Sequence, residues 1–260
     1  MSVIKIGNVE IGGNRVIVAA GPCAIESEEQ ALTIAKSVQK SGALIFRGGA
    51  YKPRTKRSSF QGLGEKGLEI LETVKRETGL LVITEVMDPR DVEKIYRFTD
   101  FFQIGSRSFQ NFPLLIEVGK TNKPIMVKRG MGAKLDIYLS AVEYITAEGN
   151  EKVILCERGI NALETYSKNT LDVNAIMALK TLSTFPVFGD PSHGTGRNDM
   201  VGRAAKACLV VGADGLLIEV HNNPSEALCD GDQALTLRQF DELMTELKEL
   251  AQTKAIGRSI

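Results

Sequence analysis

The sequence predicts a closed α/β barrel of eight strand–helix units, and three observations lead there. The first is a set of eight short, β-branched apolar runs: 16–20 (VIVAA), 43–47 (ALIFR), 80–84 (LLVIT), 101–105 (FFQIG), 124–128 (PIMVK), 152–156 (KVILC), 186–190 (PVFGD) and 215–220 (GLLIEV). The second is the amphipathic segments between them, among them Glu28 to Lys40, Glu65 to Thr78, Asp88 to Phe98 and Leu135 to Glu148. The third is length, since 260 residues suit a single barrel of this kind. Near-continuous apolar strands alternating with helices indicate a parallel sheet covered by helices. An open doubly wound sheet would also call for a glycine-rich fingerprint after its first strand, and Gly21-Pro-Cys-Ala-Ile-Glu-Ser27 is not one. The fold class is therefore α/β, a (β/α)8 TIM barrel.

Ahead of the first run, Val3 to Ile11 alternates on either side of a Gly7-Asn8 pair, the pattern of a β-hairpin. This short N-terminal hairpin, within residues 1–14, is expected to cap the bottom of the barrel. The last helix is expected from about Leu237 to Gln252. No linker or low-complexity tract interrupts the pattern, so the expected organisation is one catalytic barrel domain over 1–260 without a regulatory domain. With 32 basic and 32 acidic side chains the formal net charge is zero, which argues against bulk nucleic-acid or membrane binding but not against a local basic pocket. No apolar run approaches the roughly 18 residues of a membrane helix; the longest, Leu209 to Val220, is broken by Asp214 and two glycines. The N-terminus lacks the apolar core of a signal peptide. Cys23, Cys156, Cys208 and Cys229 form no CxxC pair, which suits reduced thiols in the cytoplasm.

Catalytic residues of such barrels come from the C-terminal ends of the strands and the loops that follow them. Those places hold Cys23, then Arg47 with Lys52-Pro-Arg-Thr55, Thr84-Glu85, Gln103 and Arg107, Lys128-Arg129, Glu157-Arg158, Asp190-Pro-Ser-His193, and finally Glu219, His221 and Asp230. A single strand-end cation is ordinarily a solvated rim residue, and a strand-end Glu can pair with a neighbouring Arg. Several cations aimed at one mouth of a neutral chain are another matter, because like charges repel unless an anion is expected. Arg forks and Lys point charges are the usual binders of phosphate and carboxylate. A second group, Cys23, His193, Glu219 and Asp230, comes from the first, seventh and eighth units, which closure makes neighbours. Together they are able to hold a divalent metal with an open position; singly, a buried thiol or a hydrogen-bonded imidazole is commonplace. His221, in phase with Glu219, reads as a support residue rather than a ligand.

At this point the sequence resembles the 3-deoxy-D-arabino-heptulosonate 7-phosphate (DAHP) synthases, of the short microbial type related to 3-deoxy-octulosonate 8-phosphate synthases. The resemblance covers nearly the whole chain through AGPCAIES (20–27), RGGAYKPRT (47–55), SFQGLGEKGL (59–68), TEVMD (84–88), QIGSR (103–107), VKRGM (127–131), EGNEKVILCERG (148–159), DPSHGTG (190–196) and IEVH (218–221). It implies a metal-dependent, aldol-type condensation of phosphoenolpyruvate with erythrose 4-phosphate and water, giving DAHP and phosphate, the first step of the shikimate pathway to aromatic amino acids. The implied metal ligands are Cys23, His193, Glu219 and Asp230, around one divalent ion: Mn, Fe, Co or Zn. The implied phosphoenolpyruvate site is Arg47, Lys52, Arg107, Lys128 and Arg158. Arg54 and Thr55 correspond to the pair that takes the sugar phosphate, Glu85 and Gln103 line the same pocket, and Glu85 or Lys52 is a candidate for moving the proton. Members of the family are generally homotetramers or homodimers. An enzyme without a regulatory domain is expected to be insensitive to tyrosine and phenylalanine.

Three places depart from the family pattern: Lys56-Arg57 after KPRT, Ser108 after the IGSR motif, and Tyr166-Ser-Lys-Asn169. None is expected to touch a mapped ligand. Cys229, directly before Asp230, is a candidate redox partner for Cys23 if the loop brings them together; an inert small residue is the alternative. The rival activity is 3-deoxy-octulosonate 8-phosphate synthase, with arabinose 5-phosphate as acceptor. That family typically carries Ala-Asn in place of Pro-Arg within KPRT, so Pro53-Arg54 favours the four-carbon sugar. A rival of another kind is a non-catalytic phosphosugar-binding protein on the same barrel, in which lost metal ligands would be expected; here all four are present.

Overall fold

The computed structural model describes residues 2–54, 56–253, 256 and 258–260. The chain opens with β1 (Ile4–Ile6) and β2 (Val9–Ile11), antiparallel about a turn whose Gly7 takes φ +56°. The barrel elements follow in order: β3 (Ile17–Gly21), α1 (Glu28–Ser41), β4 (Ile45–Arg47), α2 (Glu65–Thr78), β5 (Leu81–Glu85), α3 (Val92–Tyr96), β6 (Phe101–Ile104), α4 (Phe112–Gly119), β7 (Ile125–Lys128), α5 (Leu135–Thr146) and β8 (Val153–Glu157). A two-residue ladder, β9 (Ile160–Asn161) with β10 (Asn169–Thr170), interrupts the rhythm before α6 (Val173–Leu182). The last quarter comprises β11 (Val187–Gly189), α7 (Pro191–Thr195), α8 (Asn198–Val210), β12 (Gly215–Glu219) and α9 (Leu237–Ala251). Strands β3 to β8, β11 and β12 pair in parallel and close, β12 lying against β3 in the register Gly215↔Ile17 to Glu219↔Gly21.

Alternation along the strands builds two separate cores. One parity packs against the helices: Val18, Phe46, Val82, Phe102, Val127, Leu155 and Leu216 sit with residues of α1 to α6, α8 and α9. The other parity, Ile17, Ala19, Ile45, Ile83, Phe101, Met126, Ile154, Phe188 and Leu217, fills the interior. Ile4, Val9 and Ile11 of the hairpin belong to that interior cluster, so the hairpin plugs the bottom of the barrel. With Cys156, ten inward strand residues and three hairpin residues are buried together, so this end of the barrel is packed with apolar side chains.

The helices begin and end where their sequences dictate. Ser27 accepts from the Gln30 N–H at the start of α1, and Gly42 ends it at φ +107°. Thr236 and Gln239 form a reciprocal capping box at the start of α9. The single helix expected over Asp88 to Phe98 is instead a 3-10 turn, Pro89–Asp91, followed by the five-residue α3. The Asp88 side chain takes the Arg90 N–H and Pro89 has no N–H to give, so the first turn tightens before the α-helix starts. Predicted strand limits hold to within a residue or two elsewhere. No helix among the described residues is long and apolar enough to cross a membrane.

Tyr138 ties the helical layer to the barrel wall. It is fully buried; its hydroxyl donates to Val127 O (2.6 Å) and accepts from Cys156 N (3.0 Å), linking α5 to β7 and β8. Tyr138→Phe strands a buried N–H and is expected to cost about 1–3 kcal/mol, read as a lower urea midpoint. An unchanged midpoint would show the hydroxyl contributes nothing.

Candidate active site

The inward parity of the strands does not stop at the apolar plug. Two residues beyond Ile45, Ile83, Phe101, Met126, Phe188 and Leu217 come Arg47, Glu85, Gln103, Lys128, Asp190 and Glu219, all buried. Arg158 follows Cys156 in the same way. The neighbouring parity explains which strand-end charges leave the site. Arg129 and Glu157 pair with each other (2.9 Å), and Arg129 also reaches Asp172 (3.0 Å), so they clamp the outer layer.

Above the plug lies a cavity of about 550 Å³. Its wall includes eight cations, Arg47, Lys52, Arg54, Lys56, Arg107, Lys128, Arg158 and Lys168, against the carboxylates of Glu85 and Asp230. Every expected substrate-binding residue among those described is on this wall; Thr55 lies outside the described residues. Lys56 also lines it, so one of the two charges added after KPRT does face the pocket, while Arg57 is exposed. Ser108 sits in the turn after β6, its N–H on Gly105 O (2.9 Å).

Cys23, His193, Glu219 and Asp230 converge: one donor atom from each lies within 4.8 Å of the others. The supports around them fit a cation. Asp190, the N-cap of α7, meets His193 Nδ1 (2.8 Å), turning the opposite ring nitrogen to Glu219 Oε1 (3.4 Å). Gln233 Nε2 donates to Glu219 Oε2 (2.6 Å) and Arg47 Nη1 to Glu219 Oε1 (2.8 Å). Cys23 Sγ lies 3.2 Å from Asp230 Oδ2. A soft thiolate, an imidazole and two carboxylates suit a first-row divalent ion, and outer carboxylates on ligating histidines are the usual arrangement.

Burial and neighbours set the charge states. Burial pushes the Glu219 carboxyl up, but His193 and Arg47 outweigh it and the group lies below the ordinary carboxylate range. Asp230 is likewise driven down, Lys168 and His193 overcoming burial. Burial draws the His193 imidazole below its ordinary value despite Asp190 and Glu219, favouring the neutral ring. Lys52 goes the other way: burial opposes its charge, but Cys23 and Glu85 more than offset this and hold the ammonium protonated. Arg47 and Arg158 each present a buried Nε with no hydrogen-bond partner among the described residues. Both side chains line the cavity, where guanidinium groups suit phosphate or carboxylate.

Cys23 and Cys229 come together, Sγ to Sγ 3.1 Å, as free thiols. The bond to Cys229, then burial, raises the Cys23 thiol, whereas Cys229 is lowered through its bond to Cys23 against the effect of burial. Arg54 Nη1 rests on the Cys229 sulfur at 2.5 Å.

The expectation that the Tyr166–Asn169 departure stays clear of the ligands is overturned. Lys168 Nζ lies 3.2 Å from Asp230 Oδ1, and Asn169 Nδ2 donates to His193 O (2.9 Å). The β9–β10 ladder folds this segment back over the mouth, a path the sequence did not disclose. Asp190, which the sequence places among the strand-end residues without a role, belongs to the site as well, two residues after the inward Phe188. Gln233 gave no signal, because it arrives by an irregular loop.

Fold and site together define a class: a (β/α)8 barrel with a deep cationic pocket on its catalytic face, built for small anionic substrates. The model of the DAHP synthetase I family matches residues 2–254, and the chain belongs to that family. It is 43% identical over 255 residues to the phospho-2-dehydro-3-deoxyheptonate aldolase of Thermotoga maritima, covering 98% of this chain and 75% of that protein. The crystal structure of that DAHP synthase superposes with a TM-score of 0.96, and a truncated form with 0.92 at 40% identity, covering 99% of this chain and 94% of that one. The 2-dehydro-3-deoxyphosphooctonate aldolase of Geobacter sulfurreducens is 33% identical over 270 residues, covering 95% of this chain and 97% of that protein.

Asp190 is wholly buried, with Lys128 Nζ at 2.5 Å and His193 on the same carboxylate. Asp190→Asn keeps the shape and removes the counter-charge, so a loss of about 3 kcal/mol is expected. Equal unfolding midpoints for variant and parent would contradict the pairing.

Proposed function

We propose that this protein is a DAHP synthase, condensing phosphoenolpyruvate with erythrose 4-phosphate and water to DAHP and phosphate, the first step toward aromatic amino acids. The observation that carries the reading is the juxtaposition of the four convergent ligand side chains with the cations Arg47, Lys52, Arg107, Lys128 and Arg158 on the wall of one cavity. Membership of the family and the Thermotoga relative give that pocket its reaction.

Arg47, Lys52, Arg107, Lys128 and Arg158 hold the phosphate and carboxylate of phosphoenolpyruvate and fix its enol face, which is positioning and electrostatic work. Arg54, with Thr55, takes the phosphate of the sugar; to do so its guanidinium exchanges Cys229 for phosphate oxygen. Cys23, His193, Glu219 and Asp230 hold one divalent ion, Mn, Fe, Co or Zn. That ion, when bound, polarises the aldehyde as a Lewis acid. Attack by carbon 3 of the enol leaves positive character at carbon 2, which water then quenches before phosphate departs. In this reading Lys52, buried and protonated, gives a proton to the new alkoxide, and Glu85, with Gln103 Nε2 at 3.4 Å, receives one from water. Four free thiols fit a cytoplasmic setting. Assembly as a homotetramer or homodimer suits the stacked, partly exposed Phe112 and Tyr144, whose ring centroids are 4.3 Å apart.

Phosphate release from phosphoenolpyruvate, followed with erythrose 4-phosphate and arabinose 5-phosphate in parallel, tests the assignment. Release with the four-carbon sugar alone, abolished by a chelator and restored by a divalent ion, is the expected result. Release with the five-carbon sugar would transfer the protein to the sister activity, and silence with both would leave a binding protein.

The sulfur pair makes a second prediction. One hydrogen peroxide oxidises the two thiols of Cys23 and Cys229 to a disulfide, with two waters formed, and the ligand at Cys23 is lost. Peptide mapping is expected to find that linkage in metal-free protein, suppressed when metal is bound. Peroxide treatment that leaves both thiols free would refute it.

A further inference from the structure

The segment 221–235 carries Asp230 and leaves the barrel wall between two fixed points. His221 N donates to Leu235 O (2.9 Å) and Leu235 N to Glu219 O (2.9 Å), which pins the base of the excursion. Farther out the backbone is unusual. Asp230 is the one non-glycine among the described residues with positive φ, at 52°. The next residue must be glycine, because a Cβ on Gly231 would run into Pro224 O. A residue in that region of backbone space stays there only when its surroundings hold it.

Glu26 supplies a hold from the opposite loop. It stands three residues after Cys23, outside the cavity wall and outside the ligand quartet. Its Oε1 accepts the N–H of Leu228 (2.9 Å), two residues before Asp230, and its Oε2 lies 3.4 Å from His221 Nε2. His221 in turn takes the Asn223 N–H at Nδ1 (3.0 Å). The foot of this strut is rigid as well: Gln30 accepts the Glu26 N–H (3.2 Å) and donates to Ala24 O (3.2 Å), while its own N–H is capped by Ser27. The first loop, with Cys23, is thereby fastened to the last loop, with Asp230.

We infer that Glu26 is a positioning residue for the metal centre, setting the separation of Cys23 and Asp230 by holding the Leu228 amide. This rests on the reading of those two residues as ligands. Groups that fix the orientation of metal ligands change metal affinity by about 10–100-fold when lost, and Glu26 acts on Asp230 through the backbone of Leu228.

The test is the dissociation constant for zinc, measured by competition with a chromophoric chelator on the full chain. Glu26→Ala is expected to weaken zinc binding tenfold or more. Glu26→Gln, whose amide oxygen still accepts from Leu228, is expected to stay within about threefold of the parent. That rescue separates a hydrogen-bonded strut from a general loss of packing. Should the alanine variant fail to fold, Glu26→Asp, one methylene too short to reach, is expected to bind as weakly. Glu26→Ala within threefold of the parent, or Glu26→Gln as weak as Glu26→Ala, overturns the inference. Asp230→Ala distinguishes the two levels: if it binds zinc as tightly as the parent, the ligand reading has failed; if it binds weakly while Glu26→Ala does not, the strut alone has failed.

Discussion

Everything at the mouth depends on the pairing of β12 with β3. That ladder aligns Glu219 with Gly21 and so joins strands from opposite ends of the chain. Cys23 follows one of them and Asp230 the other, and the two side chains meet although 207 residues separate them. In an open sheet of the same order these strands would lie at opposite edges, and no ligand set would exist. Parallel pairing sends all eight strand C-termini to one rim, where the inward alternation that filled the interior with Ile, Phe and Met delivers Arg, Glu, Gln, Lys and Asp at the next inward position.

The two halves of the pocket are electrically coupled through shared carboxylates. Glu219 faces Arg47 and His193; Asp190 faces Lys128 and His193. Buried charges of one sign would be costly alone, and Arg47 and Lys128 are each held against a carboxylate that also meets the imidazole. Part of the cationic wall is therefore neutralised from within, by Glu219 and Asp190. Cations preorganised in this way do not have to be assembled when substrate arrives.

How much of this was legible beforehand follows from what is periodic. Eight apolar runs and their intervening amphipathic segments are periodic, so the barrel, its hairpin and the strand-end residues could be read directly. Lys128 and Arg158 were separable in principle from Arg129 and Glu157 by parity alone. The break before α3 was harder, because Asp88-Pro89 tightens a turn without disturbing the apolar spacing around it. Side-chain meetings between irregular loops left no trace: Lys168 on Asp230, Gln233 on Glu219 and Glu26 on Leu228 depend on loop paths that no repeat encodes. Cys229 was suspected near Cys23 from adjacency to Asp230, and the sulfurs do touch.

The central claim is that Cys23, His193, Glu219 and Asp230 hold a single divalent ion facing the cationic wall. Diffraction from metal-loaded crystals at the absorption edge of that metal tests it directly. The account predicts one anomalous peak at about 2.0–2.3 Å from the Cys23 sulfur, the inward nitrogen of His193 and oxygens of both carboxylates. A peak elsewhere on the molecule, or one that omits Cys23 or Asp230, would contradict it.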